Sequence, residues 1–206
     1  MTGEQLGRWD PLSVPELARL LAPARFPWWV AGGHALDLFV GHTTRPHGDL
    51  DVEVLRRDQH AAQRLLAGWG WDLHVAASGR LRPWRDREWL GAGANSVWCR
   101  PAPNAPWHLQ LMFADSDNGT WVFRRNPAIV QPLEAIGLRT ADGVPYLAPS
   151  VQLLFKAKAP RPKDIADFNL VLPGLFGADR AWLASALAAT HPGHPWLARL
   201  QGEANP

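Results

Sequence analysis

The chain has 206 residues, enough for one domain or two small ones, and its 47% apolar and 19% charged content is that of a soluble globular protein. A net charge of only +2 is too small a bias to argue for nucleic-acid binding, and no apolar run reaches the roughly 20 residues of a membrane span. The single cysteine, Cys99, excludes an internal disulfide and a thiol-ligated zinc cluster; it is read as core. The first residues lack the basic-then-apolar pattern of a signal peptide, so a cytoplasmic location is expected.

Residues 11–21 (PLSVPELARLL) read as an opening helix, with Ser13 as N-cap and Pro15 and Glu16 in its first turn. Residues 27–31 are a bulky apolar run suited to a buried strand. Gly32 and Gly33 then turn the chain, residues 34–40 form a short helix, and a polar loop over 41–48 leads to a strand over 49–55. A helix over 57–69, ended by Gly68 and Gly70, and a strand over 71–76 follow. Residues 77–93 are charged and broken by Gly79 and Pro83. Strands are expected over 96–100, 107–113 and 120–124, with turns at 101–106 and 115–119 and a hairpin over 138–147 around Asp142-Gly143. Helical periodicity takes over beyond Pro149, over 150–158, 163–172 and 179–189, and the closing HPGHPW reads as an irregular tail. The expected fold class is therefore α/β (α+β), with a mixed β-sheet core over 1–148 and a helical carboxy-terminal domain over 149–206.

The strand at 49–55 (DLDVEVL) carries the chemistry. Alternation places Asp49, Asp51 and Glu53 on one face and Leu50, Val52 and Val54 on the other. Carboxylates lined up in this way raise each other's pKa unless a cation sits between them, and magnesium takes oxygen ligands that it shares with substrate phosphates. A glycine pair ahead of a helix lets backbone N–H groups approach phosphate at the helix N-terminus. Gly32-Gly33 followed by Asp49-x-Asp51 supplies both parts.

These residues resemble the signature of the DNA-polymerase-β-type nucleotidyltransferase superfamily. The block AGGHALDLFVGHTTRPHGDLDVEV is similar to the start of aminoglycoside 2''-adenylyltransferase-like small bacterial enzymes. The resemblance implies a roughly five-stranded mixed sheet as the nucleotidyltransferase core and a helical domain closing the cleft. It further implies two Mg2+ ions and the transfer of a nucleoside monophosphate from ATP or another NTP to a hydroxyl of a small molecule, such as an aminoglycoside-like sugar. Asp49 and Asp51 would be catalytic metal ligands. Gly32, Gly33, His34, Arg45, His47, Lys156 and Lys163 would serve the nucleotide.

The superfamily's third carboxylate should lie on the strand at 107–113, whose central polar residue is Gln110. An amide cannot act as a general base and binds magnesium less well. Glu53, Asp115 or Asp117 would then have to substitute, or the acceptor's own geometry would have to suffice. Two further readings stay open: a toxin-type enzyme acting on protein or tRNA, and a nucleotide-binding module without catalysis. Asp37 reads as a structural hydrogen-bonding group, Asp164 and Asp167 as capping and pairing within their own helix, and Arg124-Arg125 as a surface pair in preference to part of an anionic-ligand site.

Overall fold

The structure, a computed structural model, describes residues 7–202; the opening segment weighed as a signal peptide lies partly outside them. Ser13 starts α1 (Val14–Leu21) through a capping box: Glu16 N–H donates to Ser13 Oγ, and Ser13 N–H donates to Glu16 Oε2 at 2.8 Å. After β1 (Trp28–Val30), α2 (Gly32–Val40) begins at Gly32 itself, with Ala31 as its N-cap. The glycine pair is thus the first turn of the helix rather than a turn ahead of it. β2 (Asp51–Leu55) starts two residues later than the alternation suggests, so Asp49 stands at the mouth of the strand, outside its ladder.

A short 3-10 turn leads into α3 (Gln59–Ala67), followed by β3 (Asp72–Ala77), β4 (Arg80–Pro83), β5 (Ser96–Arg100) and β6 (Leu109–Asp117). Next come β7 (Thr120–Val122), β8 (Val130–Pro132), the hairpin β9 (Gly137–Arg139) with β10 (Pro145–Leu147), and helices α4 (Pro149–Lys156), α5 (Pro162–Val171), α6 (Gly177–Thr190) and α7 (Trp196–Leu200). The sheet has ten strands, about twice the number expected. β4 was hidden by its sequence, since Arg80, Arg82 and Pro83 suit the sheet edge it occupies. β6 runs on through Asp115 and Asp117, because Asn118 and Gly119 both take positive φ and form the turn into β7. In the tail, Trp196 stacks on Phe168 at 4.3 Å between ring centroids, which makes a helix of a segment without helical periodicity.

The main strand order is β4-β3-β5-β6-β2-β1-β10-β9. β2 lies at its middle, parallel to β6 and antiparallel to β1. Val52, Val54, Leu111 and Phe113 bury one face of this centre. α2 packs against α4 and α5, so the start of β2 faces the helices that follow residue 148. No helix of the described residues is long and apolar enough to cross a membrane.

Candidate active site

A cleft of about 360 Å³ opens between the start of β2, the first turn of α2 and the α4–α5 corner. Gly32, Gly33, Arg45, His47, Asp49, Asp51 and Glu53 line one side, and Gln152, Phe155, Lys156, Lys158, Arg161, Lys163 and Asp164 line the other. Gly32 has φ +66°, and a Cβ there would stand 2.5 Å from Asp51 Oδ2. A Cβ on Gly33 would run into the His47 ring and lie 2.8 Å from Arg45 Nη2. The glycines are therefore required by the side chains packed on them, before any phosphate is considered. Gly32 N–H donates to Gln152 Oε1 at 2.9 Å, tying the helix start to α4.

The loop between α2 and β2 is bolted to the helix by Asp37. Its Oδ1 accepts from Thr44 N–H at 3.2 Å and Thr44 Oγ1 at 2.7 Å, and its Oδ2 pairs with His47 Nε2 at 2.6 Å. Burial would raise the Asp37 pKa, but the bonds from Thr44 and His47 outweigh it and hold it below its ordinary value. Asp37 thus has the structural role its sequence position suggested. Arg45 donates to Asp167 on α5 through Nε at 3.4 Å and Nη2 at 3.3 Å. Lys156 Nζ lies 2.9 Å from both Asp164 and Asp167. Asp167 therefore links the loop to α4 and α5 rather than pairing within its own helix, while Asp164 also holds Arg161.

Asp51 is pushed up to about 7, chiefly by burial and then by the charge of Asp49. Burial also pushes Glu53 up to about 7, with Arg124 opposing it, and its Oε1 has no hydrogen-bond partner among the described residues. A buried, unpaired carboxylate is costly. That orphaned oxygen, beside two further carboxylates of which one is held off its charged form, fits a divalent cation taking oxygen ligands. Gln110 is the Cα partner of Asp51 in the parallel ladder, and its Nε2 points to Met112 Sδ at 2.7 Å; it does not line the cleft. Asp115 is taken by Arg56 at 2.5 Å, and neither it nor Asp117 lines the cleft. Of the candidates for the third position, only Glu53 reaches the cleft.

The remaining residues divide cleanly. His34 turns its side chain away, its ring tilted against that of His47 at 4.3 Å between centroids and lining a separate cavity. Burial, followed by the charge of His47, holds its pKa down. Lys163 lines the cleft and makes no ion pair among the described residues. Arg124 and Arg125, read as a surface pair in preference to an anionic-ligand site, follow β7 and line the cleft, Arg124 half-buried and Arg125 exposed. Met112, Gln152 and Phe155 were missed, since nothing in their local sequence sets them apart from core residues.

Both raised carboxyls carry a stability consequence. Their folded pKa near 7 exceeds the unfolded value of about 4, so stability present at low pH is lost as pH rises through 7. In chelator, the melting temperature should fall by several degrees between about pH 5 and pH 8 and then level off, as followed by circular dichroism. A rise across that window would remove the buried-carboxylate account.

This architecture is the nucleotidyltransferase fold. ANT(2'')-Ia in complex with adenylyl-2''-tobramycin superposes with a TM-score of 0.55 at 16% identity, covering 85% of this chain and 97% of that one. The lincosamide antibiotic adenylyltransferase LnuA, lincomycin-bound, gives 0.56 at 16% identity, covering 79% and 98%. An antigenic nucleotidyltransferase-like protein from Paracoccidioides brasiliensis gives 0.50 at 19% identity, covering 94% and 92%. Residues 13–82 match the model of the aminoglycoside-2''-adenylyltransferase family. The aminoglycoside-adenylyltransferase likeness of the sequence is thus matched over residues 13–82, and most of the chain shares the fold of these enzymes. No curated protein matches it.

Proposed function

We propose that the chain moves a nucleoside monophosphate from ATP, or another nucleoside triphosphate, to a hydroxyl of a small sugar-like molecule. The observation that carries this reading is the Gly32–Asp51 contact, with Gly33, Asp49 and the orphaned Glu53 oxygen in the same cleft. Of the proteins that share the fold, ANT(2'')-Ia is seen with adenylyl-2''-tobramycin and the lincosamide antibiotic adenylyltransferase LnuA with lincomycin, which supports a small hydroxylated acceptor.

Asp49 and Asp51 would hold divalent magnesium, with Glu53 as the third carboxylate. When bound, magnesium neutralises charge on the phosphates and lowers the pKa of a coordinated hydroxyl. The α2 N-terminus favours the triphosphate, because the Gly33 and His34 amides of its first turn have no acceptor among the described residues. The His34 contribution is then its backbone, not its ring. Lys163, with Arg45 and Lys156 fixed by Asp167, would brace the anionic groups. The acceptor oxygen bonds to the α-phosphorus, the bond to the β-phosphate bridge breaks, pyrophosphate leaves, and the hydroxyl proton passes to solvent or to Glu53. The helices from α4 to α7 act as the helical domain that completes the cleft from the far side.

ATP with magnesium at about 100 times its dissociation constant should stabilise the fold by about 2.7 kcal/mol. At roughly 2–4 °C per kcal/mol, the melting temperature rises by about 5–10 °C. Pyrophosphate release should require both magnesium and an acceptor. Stabilisation that is absent with every nucleotide tried would sink the proposal.

A further inference from the structure

We propose that the end of the cleft beyond Glu53 is an anion subsite for the acceptor, built by Arg124 and Arg125 around Phe155. The modified compound then carries a carboxylate or phosphate besides its hydroxyl. This rests on the nucleotidyltransferase reading of the same cleft and names its substrate class.

The charge balance of the cleft leads there. Seven Lys and Arg side chains line it against four carboxylates. Asp164 and Asp167 occupy Arg45, Lys156 and Arg161, leaving Lys158, Lys163, Arg124 and Arg125 without an ion pair among the described residues. These four fall into two groups. Lys158 and Lys163 flank the α4–α5 corner, where Lys156 and Arg161 pair with Asp164, at the metal and triphosphate end. Arg124 and Arg125 follow β7, whose Val122 pairs with Asp115 of β6, while Met112 of β6 pairs with Glu53, so the arginines stand at the Glu53 end of the cleft. Two magnesium ions cancel the charge of a fully ionised triphosphate, so a loaded nucleotide leaves the arginine surplus in place.

The arginines are held for use. The Arg124 guanidinium lies 5.1 Å from the Phe155 ring centroid and that of Arg125 5.4 Å, on one aromatic platform. Arg125 Nη1 also donates to the Phe155 carbonyl at 2.7 Å, while Arg124 donates to nothing among the described residues. Two like charges side by side repel, and Arg125 is held below its ordinary pKa by burial and then by Arg124. A carboxylate or phosphate between them would relieve this and accept a bidentate pair. A polycationic sugar such as tobramycin would instead meet repulsion. The family match ends at residue 82, so nothing in it carries an acceptor preference to this segment.

The test is equilibrium binding to protein loaded with magnesium and the unreactive analogue α,β-methylene-ATP. Glucose 6-phosphate and glucuronate, which separate phosphate from carboxylate, are titrated beside glucose and tobramycin. At least one anionic sugar should bind roughly tenfold or more tighter than glucose, as loss of a charged hydrogen bond predicts. Arg124→Gln should bring the anionic sugars down to the affinity of glucose within the same variant, and Arg124→Glu should shift the preference toward tobramycin. Equal binding of glucose and both anionic sugars, or tightest binding of tobramycin by the unsubstituted protein, overturns the subsite. Arg124→Gln weakening the analogue while leaving the anionic-sugar preference in place would assign Arg124 to the nucleotide and also overturn it. Failure of the loaded analogue to bind at all would bring down the underlying reading as well.

Discussion

Asp51→Asn should lose at least about 10³-fold in turnover and, in chelator at pH 8, melt at a higher temperature than the unsubstituted protein. The two effects have one cause. Burial and the neighbouring Asp49 charge hold the Asp51 carboxyl near 7, so ionising it at pH 8 costs folding free energy that an amide does not. A gain of a few degrees corresponds to roughly 1–2 kcal/mol for a chain of this size. Magnesium should stabilise the parent protein at pH 8 and leave Asp51→Asn almost unmoved. Asp49→Asn should cut turnover comparably with little gain in melting temperature, because Asp49 is exposed. Melting curves with and without magnesium, beside pyrophosphate release, check all of this. Retained turnover in the Asp49→Asn, Asp51→Asn double variant removes the metal assignment.

That opposition between stability and activity separates a working carboxylate from a structural one. Asp37 is as buried as Glu53, but it has partners on both oxygens and a lowered pKa. Glu53 has an orphaned oxygen and a raised one. The fold satisfies the first internally and leaves the second without a partner among the described residues.

The block from Gly32 to Glu53 was legible because its pieces are local: a helix start, a loop and a strand whose alternation sorts the acids onto one face. Placing Gln110 opposite the acidic pair came from the family resemblance, and it stands in register with Asp51. The cationic wall was not legible. Arg45 and Asp167 meet across 122 residues, and Asp167 in isolation reads as a helix-surface acid. Arg124 and Arg125 reach the cleft only because β6 turns back through Asn118-Gly119 and returns them beside β2. Spacing along one chain carries no information about such closures. The extra strands escaped for a related reason, since β4 and β8 gain their order from a neighbour rather than from their own composition.

Gly33→Ala should lower the melting temperature by roughly 5–15 °C and turnover by about 10²-fold. Propensity alone predicts the opposite sign, because alanine is favoured over glycine inside a helix by about 1 kcal/mol. Space decides. The new Cβ would occupy the position of the His47 ring and crowd Arg45 Nη2 at 2.8 Å. The ring cannot swing aside freely, since its side chain is only 4% exposed and is paired with Asp37 Oδ2 at 2.6 Å. Displacing it strains the helix start or leaves a carboxylate buried without its partner. Overpacking costs about 1–3 kcal/mol and a lost charged hydrogen bond about 1.5–3 kcal/mol, either of which exceeds the propensity gain. Arg45 would move with the loop and loosen its hold on Asp167, so the cleft would lose its order on both walls. Gly48→Ala is the control: it lies beside Asp49, and a Cβ there meets nothing within 4 Å. It should melt within a degree or two of the parent and keep its turnover. If Gly33→Ala instead proves as stable as the parent, the loop from Thr44 to His47 is not clamped against α2, and the site's preorganisation must come from elsewhere.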